Sequence, residues 1–359
     1  MTNKLIPVHL HTTRVALLQQ NFWGRDMKKK LISLAVASAL LTPILAHADG
    51  PQVYGRVHLS YGSVDNTADK STATPSTTDN IQLRSHASRF GVKGSRDFGN
   101  GLSGIYKLEW QVNPDSDGAD DDGIERRNQY VGLKGDWGQF RFGRHDTPMK
   151  MANGEFDLFS DTDADVKKAG DQDGQNRVDN VVAYLGKSGN LKYAIALVPG
   201  EGDGVTAGDS AADTISASLT YESGPLFVAL AQDSHDDTAG QAENSMTSLT
   251  GIYKMGNMQV GVLWQSGVEG AAATGEDEDW LGVHFSSKFA GSNKFKLQYI
   301  MVEDNATTAR EGTLMAVGVD HKFDKKTTGY VMYSSLEEDL GGVSDVENNF
   351  LGAGLKLKF

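Results

Sequence analysis

The chain has 359 residues, no cysteine and a formal net charge of −13. With no cysteine there can be no disulfide framework and no thiolate zinc site, and an acidic chain lacks the clustered positive charge that nucleic acid requires. Beyond residue 48 no apolar run reaches eighteen residues, which excludes helical membrane spans from that part of the chain.

Met27-Lys28-Lys29-Lys30 is a charged start, followed by an apolar run from Leu31 to about Leu45 and then by Ala46-His47-Ala48. This order reads as a secretory signal over residues 27–48, cleaved between Ala48 and Asp49. The run is short for a membrane anchor and contains Pro43. Residues 1–26 make no sense upstream of such a signal and read as a mis-start, with Met27 as the true beginning. Six Lys/Arg and one Asp/Glu fall in residues 1–48, which leaves 28 basic against 46 acidic residues in 49–359, a balance of −18.

Periodicity sets the fold class. Leu102, Tyr106, Leu108, Trp110 and Val112 alternate with Ser103, Lys107, Glu109 and Gln111, a period of two that marks a strand with one apolar and one wet face. The pattern returns at Leu191–Leu197, Ile215–Tyr221, Met258–Trp264 and Phe295–Met301, and no segment carries a sustained helical stripe. Short Gly/Asn/Asp turns such as Asp97–Gly101, Ser188–Asn190 and Gly256-Asn257 alternate with long polar loops. Tight turns at one end and long loops at the other describe an all-β, transmembrane antiparallel barrel of about sixteen strands, wide enough for a watery lumen.

One connection stands apart. Asp146–Asn176 is about thirty residues long and holds eight Asp/Glu. So long a loop in a compact β domain is commonly functional, and this one is expected to fold inward and narrow a pore. The final strand puts Leu351, Ala353, Leu355, Leu357 and Phe359 on one face and Gly352, Gly354, Lys356 and Lys358 on the other. Aromatics near strand ends, among them Tyr61, Trp110, Tyr253, Trp264, Phe289, Tyr299 and Phe323, fit interfacial girdles.

Enzyme chemistry finds no foothold. There is no HExxH, GxSxG or P-loop, and the histidines show no zinc-like spacing. Asp161-Thr162-Asp163-Ala164-Asp165 hints at calcium, but an EF-hand register would place Val166 where Gly belongs and Gln172 where Glu belongs. A channel is expected, not an enzyme, with no metal and no cofactor.

Six short motifs occur in order: Val53-Tyr54-Gly55-Arg56, Ser88–Gly94 (SRFGVKG), Tyr130–Gly135 (YVGLKG), Phe142-Gly143-Arg144, Asp179–Tyr184 (DNVVAY) and the terminal Gly352–Phe359. Through them residues 49–359 resemble the general trimeric porins of the Gram-negative outer membrane. The resemblance implies a sixteen-stranded barrel, a homotrimer among outer-membrane lipid and lipopolysaccharide, and passive diffusion of small hydrophilic solutes. It implies that the third long loop, residues 146–176, enters the lumen. It also implies that Phe359 is read by the barrel-insertion machinery. Small or polar positions such as Gly55, Ser88 and Gly132 are expected to face outward towards neighbouring subunits.

The same resemblance puts Arg56, Arg89, Arg127 and Arg177 on the pore wall, with Arg126 a rival for Arg127 and Lys192 a lesser member. Across from them the candidates are Glu155, Asp157, Asp161, Asp163 and Asp165. Such opposed charges set a transverse field and an ion preference. The overall negative balance leads us to expect mild cation preference. The alternatives are a substrate-specific porin for saccharides or anions, and a barrel with an adhesive or structural role.

Overall fold

In the computed structural model the described residues are 50–68, 76–115, 123–170, 174, 176–199, 212–235, 244–269, 276–304, 310–340 and 345–359. The expected leader and its cleavage point between Ala48 and Asp49 lie outside them.

The strands are β1 (Gln52–Ala68), β2 (Ser76–Ser85), β3 (Arg89–Gly99), β4 (Leu102–Val112), β5 (Ile124–Gly135) and β6 (Gly138–Asp146). Next come β7 (Arg177–Ser188), β8 (Leu191–Val198), β9 (Thr214–Ser223), β10 (Leu226–His235), β11 (Asn244–Met255) and β12 (Met258–Glu269). The series ends with β13 (Glu276–Phe289), β14 (Asn293–Asp304), β15 (Arg310–Lys322), β16 (Thr327–Leu340) and β17 (Asp345–Lys358). Neighbours pair antiparallel, and β17 returns to β1 from Arg56↔Lys358 to Ala68↔Val346. The lower part of β1 pairs with β3 and the upper part with β2, so β2 and β3 share one place in the wall. The break between them falls at His86–Ser88, where Ala87 takes a φ of 48°. Seventeen segments therefore make a closed sixteen-place barrel.

Closure leaves no sheet edge, and the period of two then sorts side chains between two faces. On β14, Leu297 and Tyr299 are exposed while Lys296, Gln298, Ile300 and Val302 are buried. Across the barrel the exposed face is apolar (Val57, Leu230, Val262, Trp264, Val283, Leu351) and the buried face is rich in polar groups (Ser248, Thr250, Gln265, His284, Gln298). That is the reverse of a water-soluble protein and the ordering a lipid surround demands. Among the described residues no helix is long and apolar enough to cross a membrane. The expected turns are present; Gly256-Asn257 joins β11 to β12 in two residues, and Gly256 supplies the φ of 58° that such a turn needs.

The connection from β6 to β7 begins with a short helix, α1 (Pro148–Asn153), capped by Thr147, whose hydroxyl accepts the Lys150 N–H at 3.2 Å. From there it lays apolar side chains on three patches of the buried wall face. Met149 and Ala152 meet Phe227, Ala229 and Met246 on β10 and β11. Phe156, Val166 and Ala169 meet Leu263, Trp280, Ile300 and Leu314 on β12 to β15. Phe159 and Ala164 meet Val64, Ala316, Tyr330 and Phe350 on β1 and β15 to β17. Each fully buried Met or Phe contributes roughly 1.5–3 kcal/mol to holding this segment in place.

Two of the small positions expected to face outward do not. Ser88 is buried, and its hydroxyl accepts the His58 N–H at 3.0 Å. Gly132 lies between the exposed Val131 and Leu133, so alternation turns it to the other face. Gly55 does share the outward parity of Val57 and Tyr61, but Phe359 covers it.

The chain end seals the barrel. Phe359 donates its N–H to the Gly55 carbonyl at 3.0 Å, and Gly55 donates to the Phe359 carbonyl at 3.3 Å. A Cβ at Gly55 would fall 2.4 Å from Phe359 Cζ and 2.6 Å from the Arg89 backbone oxygen. Gly55→Val should therefore destabilise the folded barrel by about 1–3 kcal/mol, read as a lower temperature of the heat-induced mobility shift on gels. Adding Phe359→Ala should restore only part of the loss, because the backbone clash remains; full rescue would show that the ring alone sets the constraint.

Candidate functional site

Arg56 on β1 and Arg89 on β3 lie directly opposite one another. Like charges at that spacing repel, and the Asp161 carboxylate relieves them, with Oδ2 2.6 Å from Arg56 Nη2 and 3.4 Å from Arg89 Nη2. Arg89 also lies 3.8 Å from Glu109 on β4. Glu109 gathers further partners: Arg127 Nε at 3.0 Å, Lys107 Nζ at 3.2 Å, and the Tyr54 hydroxyl, which donates at 2.9 Å. Arg127 donates a second bond to Gln111 Oε1 at 2.8 Å. Four cations thus surround two carboxylates on adjoining strands.

Arg177 stands beside this group, 2.8 Å from Asp146, which Lys150 also approaches at 3.6 Å, and Arg177 Nε reaches Asn128 at 3.2 Å. A register shift between Leu108 and Trp110 puts Arg127 on Glu109 and leaves Arg126 exposed, 3.5 Å from Asp179. Lys192 is exposed and pairs with Glu222 at 2.7 Å, remote from the arginines in the wall order.

The five loop acids divide by function. Of the five, Asp161 alone meets Arg56 and Arg89 directly, from a left-handed φ of 56° that Asp tolerates; its N–H is held by Asp165 Oδ2 at 2.7 Å. The other Asp165 oxygen accepts the Lys167 N–H at 3.2 Å and caps the 3-10 turn Val166–Lys168. Asp157 accepts the N–H groups of Phe159 at 2.8 Å and Val166 at 3.2 Å, and the Gln298 amide at 3.2 Å. Asp157 and Asp165 therefore fasten the segment rather than face the wall arginines. Asp163 is gripped by Arg84, with His86 Nε2 at 3.6 Å and Lys168 Nζ at 3.4 Å. Glu155 is exposed and lines a separate cavity of about 470 Å³ with Tyr193 and Phe227.

Burial raises both central carboxyls, and their neighbours then send them in opposite directions. For Asp157, burial and then the charge of Asp165 push its pKa up to about 8, against the bonds from Phe159, Val166 and Gln298. Burial also raises Asp161, but the Arg56 and Arg89 guanidiniums outweigh it and hold Asp161 well below the usual carboxylate range.

Several members of this constellation escaped sequence reasoning. Lys107 and Glu109 stand on the polar parity of β4, and a carboxylate between strands bearing Arg89 and Arg127 was a usable signal. Phe156 and Phe159 read as loop residues because nothing local reveals a wall to receive them.

The profile of the family described as Gram-negative porin matches residues 34–340. Outer membrane porin protein 32 of Delftia acidovorans is 25% identical over 323 residues, covering 85% of this chain and 88% of that protein. Among solved structures, the anion-selective porin from Comamonas acidovorans superposes with a TM-score of 0.73 at 20% identity, over 87% of this chain and all of that one. The trimer form of OmpT from Vibrio cholerae gives 0.64 at 19% identity over 87% of this chain and 100% of its own.

A pH signature follows from the Asp157 surroundings. Its folded-state pKa lies above the unfolded value, so the native protein binds the extra proton and loses stability as pH rises from about 4 to about 8. Asp157→Asn lacks that loss. Between pH 4 and pH 8, stability measured on refolded protein in detergent should move in the variant's favour by up to about 5 kcal/mol. A difference independent of pH would mean that Asp157 stays ionised in the fold.

Proposed function

The chain belongs to the Gram-negative porin family and is an outer-membrane channel rather than an enzyme, and from that premise we propose passive diffusion of small hydrophilic solutes through an aperture that favours anions. In this reading residues 147–170 fold across the lumen, and Asp161 marks the narrowest charged point against Arg56, Arg89 and Arg127.

The observation that carries the preference is the local imbalance. Among the described residues, the direct ion-pair partners of Arg56, Arg89, Arg127 and Lys107 are Glu109 and Asp161, two carboxylates against four cations. The −18 balance of residues 49–359 points the other way, but salt screens any charge farther from the aperture than a Debye length of about 8 Å. Charges within an aperture act at shorter range and past low-dielectric walls. The row of cations therefore outweighs the total, in contrast to the cation preference expected from overall charge. The structural neighbour from Comamonas acidovorans, an anion-selective porin, agrees with this sign.

The test is the reversal potential of refolded protein in a KCl gradient. Wild type should favour chloride several-fold, Asp161→Asn more so, and Arg89→Gln with Arg127→Gln should approach no preference. A wild-type preference for potassium would overturn the assignment, and absence of conductance would favour the adhesive or structural alternative.

The trimer form of OmpT supports a homotrimer for this chain too, set among lipid and lipopolysaccharide. Mass measurement in mild detergent should give three copies; a monomer would rule it out. Phe359, placed at the seam, is suited to recognition by the barrel-insertion machinery.

A further inference from the structure

A second cationic region adjoins the arginines and is not needed for the ion preference argued above. Register carries the inward parity from Arg56 to Lys358, and from His58 to Lys356, across the β1–β17 seam. It continues from Lys356 to Thr328 and from Thr328 to Lys322 across β17, β16 and β15. These rows end at the short turn between β15 and β16, which adds Lys325 and Lys326. With Lys296, these lysines line a cavity of about 200 Å³ whose loop side is formed by Leu158, Phe159, Ser160 and Thr162.

The charges there are poorly compensated. Asp320 is the one carboxylate in the lining, and Lys296 takes it at 2.8 Å. Lys296 also donates to the Leu158 carbonyl at 3.1 Å and lies 4.3 Å above the Phe159 ring. It is 7% exposed, a buried cation that ties the loop to the cavity wall. Lys322, Lys325, Lys326, Lys356 and Lys358 have no carboxylate partner among the described residues. Five such ammonium groups around one hollow repel one another, and a multiply charged anion would relieve them.

We propose that this cavity is a binding site for a compact polyanion bearing phosphoryl groups, of the size of pyrophosphate or tripolyphosphate, on the turn side of the aperture. The inference rests on the channel reading given above. A hollow of about 200 Å³ has room for a diphosphate. Lysine heads are point charges with three donors, suited to tetrahedral oxygens approached from any side. No arginine lines the cavity, so the planar fork that selects carboxylates is missing. Because the strand lysines Lys296, Lys322, Lys356 and Lys358 share inward parity, the ligand is a free solute rather than a lipid headgroup. The site would hold the anion at the end of the arginine row and concentrate phosphorylated solutes at the pore.

Sodium pyrophosphate tests this as a blocker of KCl current through single reconstituted channels at low salt, added to each side in turn. Saturable block from one side is expected, weaker with citrate at matched concentration, and fading as salt rises. Lys322→Gln with Lys326→Gln and Lys356→Gln should raise the half-blocking concentration about tenfold or more, while Lys134→Gln, at another turn, should not change it. Equal block by citrate, or equal block in the triple variant, would overturn the proposal, as would a conducting wild type that pyrophosphate leaves unblocked. The comparison of pyrophosphate with citrate is made on wild type and does not depend on the variant folding. Failure of every preparation to conduct would count instead against the channel reading.

Discussion

A sheet within a bilayer cannot leave an edge unpaired, because no water is present to satisfy its N–H and C=O groups. Most of this molecule follows from that constraint. β17 must return to β1, and the seam must be tight, which is why Phe359 packs on a glycine and exchanges two backbone bonds with it. Once closed, the wall has a lipid side and a lumen side, and the period of two assigns every residue to one of them. The polar residues then accumulate where a soluble protein keeps its core.

An inner surface rich in Gln, Ser, Thr, His and charged groups needs partners of its own. The β6–β7 connection supplies many of them. It combines two kinds of contact: aromatic anchors on apolar islands of the wall, and carboxylates that bind either its own backbone or the facing guanidiniums. Phe156 and Phe159 give it position without charge, and Asp157 and Asp165 set its internal shape. Only after both are in place can Asp161 sit between two arginines that would otherwise repel. Removing the carboxylate leaves two opposed cations, so the effect extends beyond one lost ion pair.

On the reading proposed above, the sign of the local field differs from that of the total charge. An acidic chain was expected to favour cations, yet the acids nearest the wall arginines are outnumbered. Two of the loop carboxylates are used structurally, a third is gripped by Arg84, and a fourth lies at another cavity. A count of aspartates in a loop does not reveal which ones face the opposite wall.

The sequence by itself was enough for most strands and turns and for the two faces of strands such as β14 and β17, because a period of two and Gly/Asn turn chemistry are local properties, but it put Ser88 and Gly132 on the wrong face. It was also enough to single out residues 146–176 by length and acidity, and to place Arg56 and Arg89 on polar parity. It left Arg126 and Arg127 unresolved, since a bulge opposite Leu108 and Trp110 changes the register without a mark in the residues themselves. Tertiary structure alone decided which carboxylates meet arginines, which anchors the loop uses, and that lysines from β14 to β17 converge on one cavity. Those facts depend on strands far apart in the chain being brought side by side by closure, and no local period records what lies across a lumen.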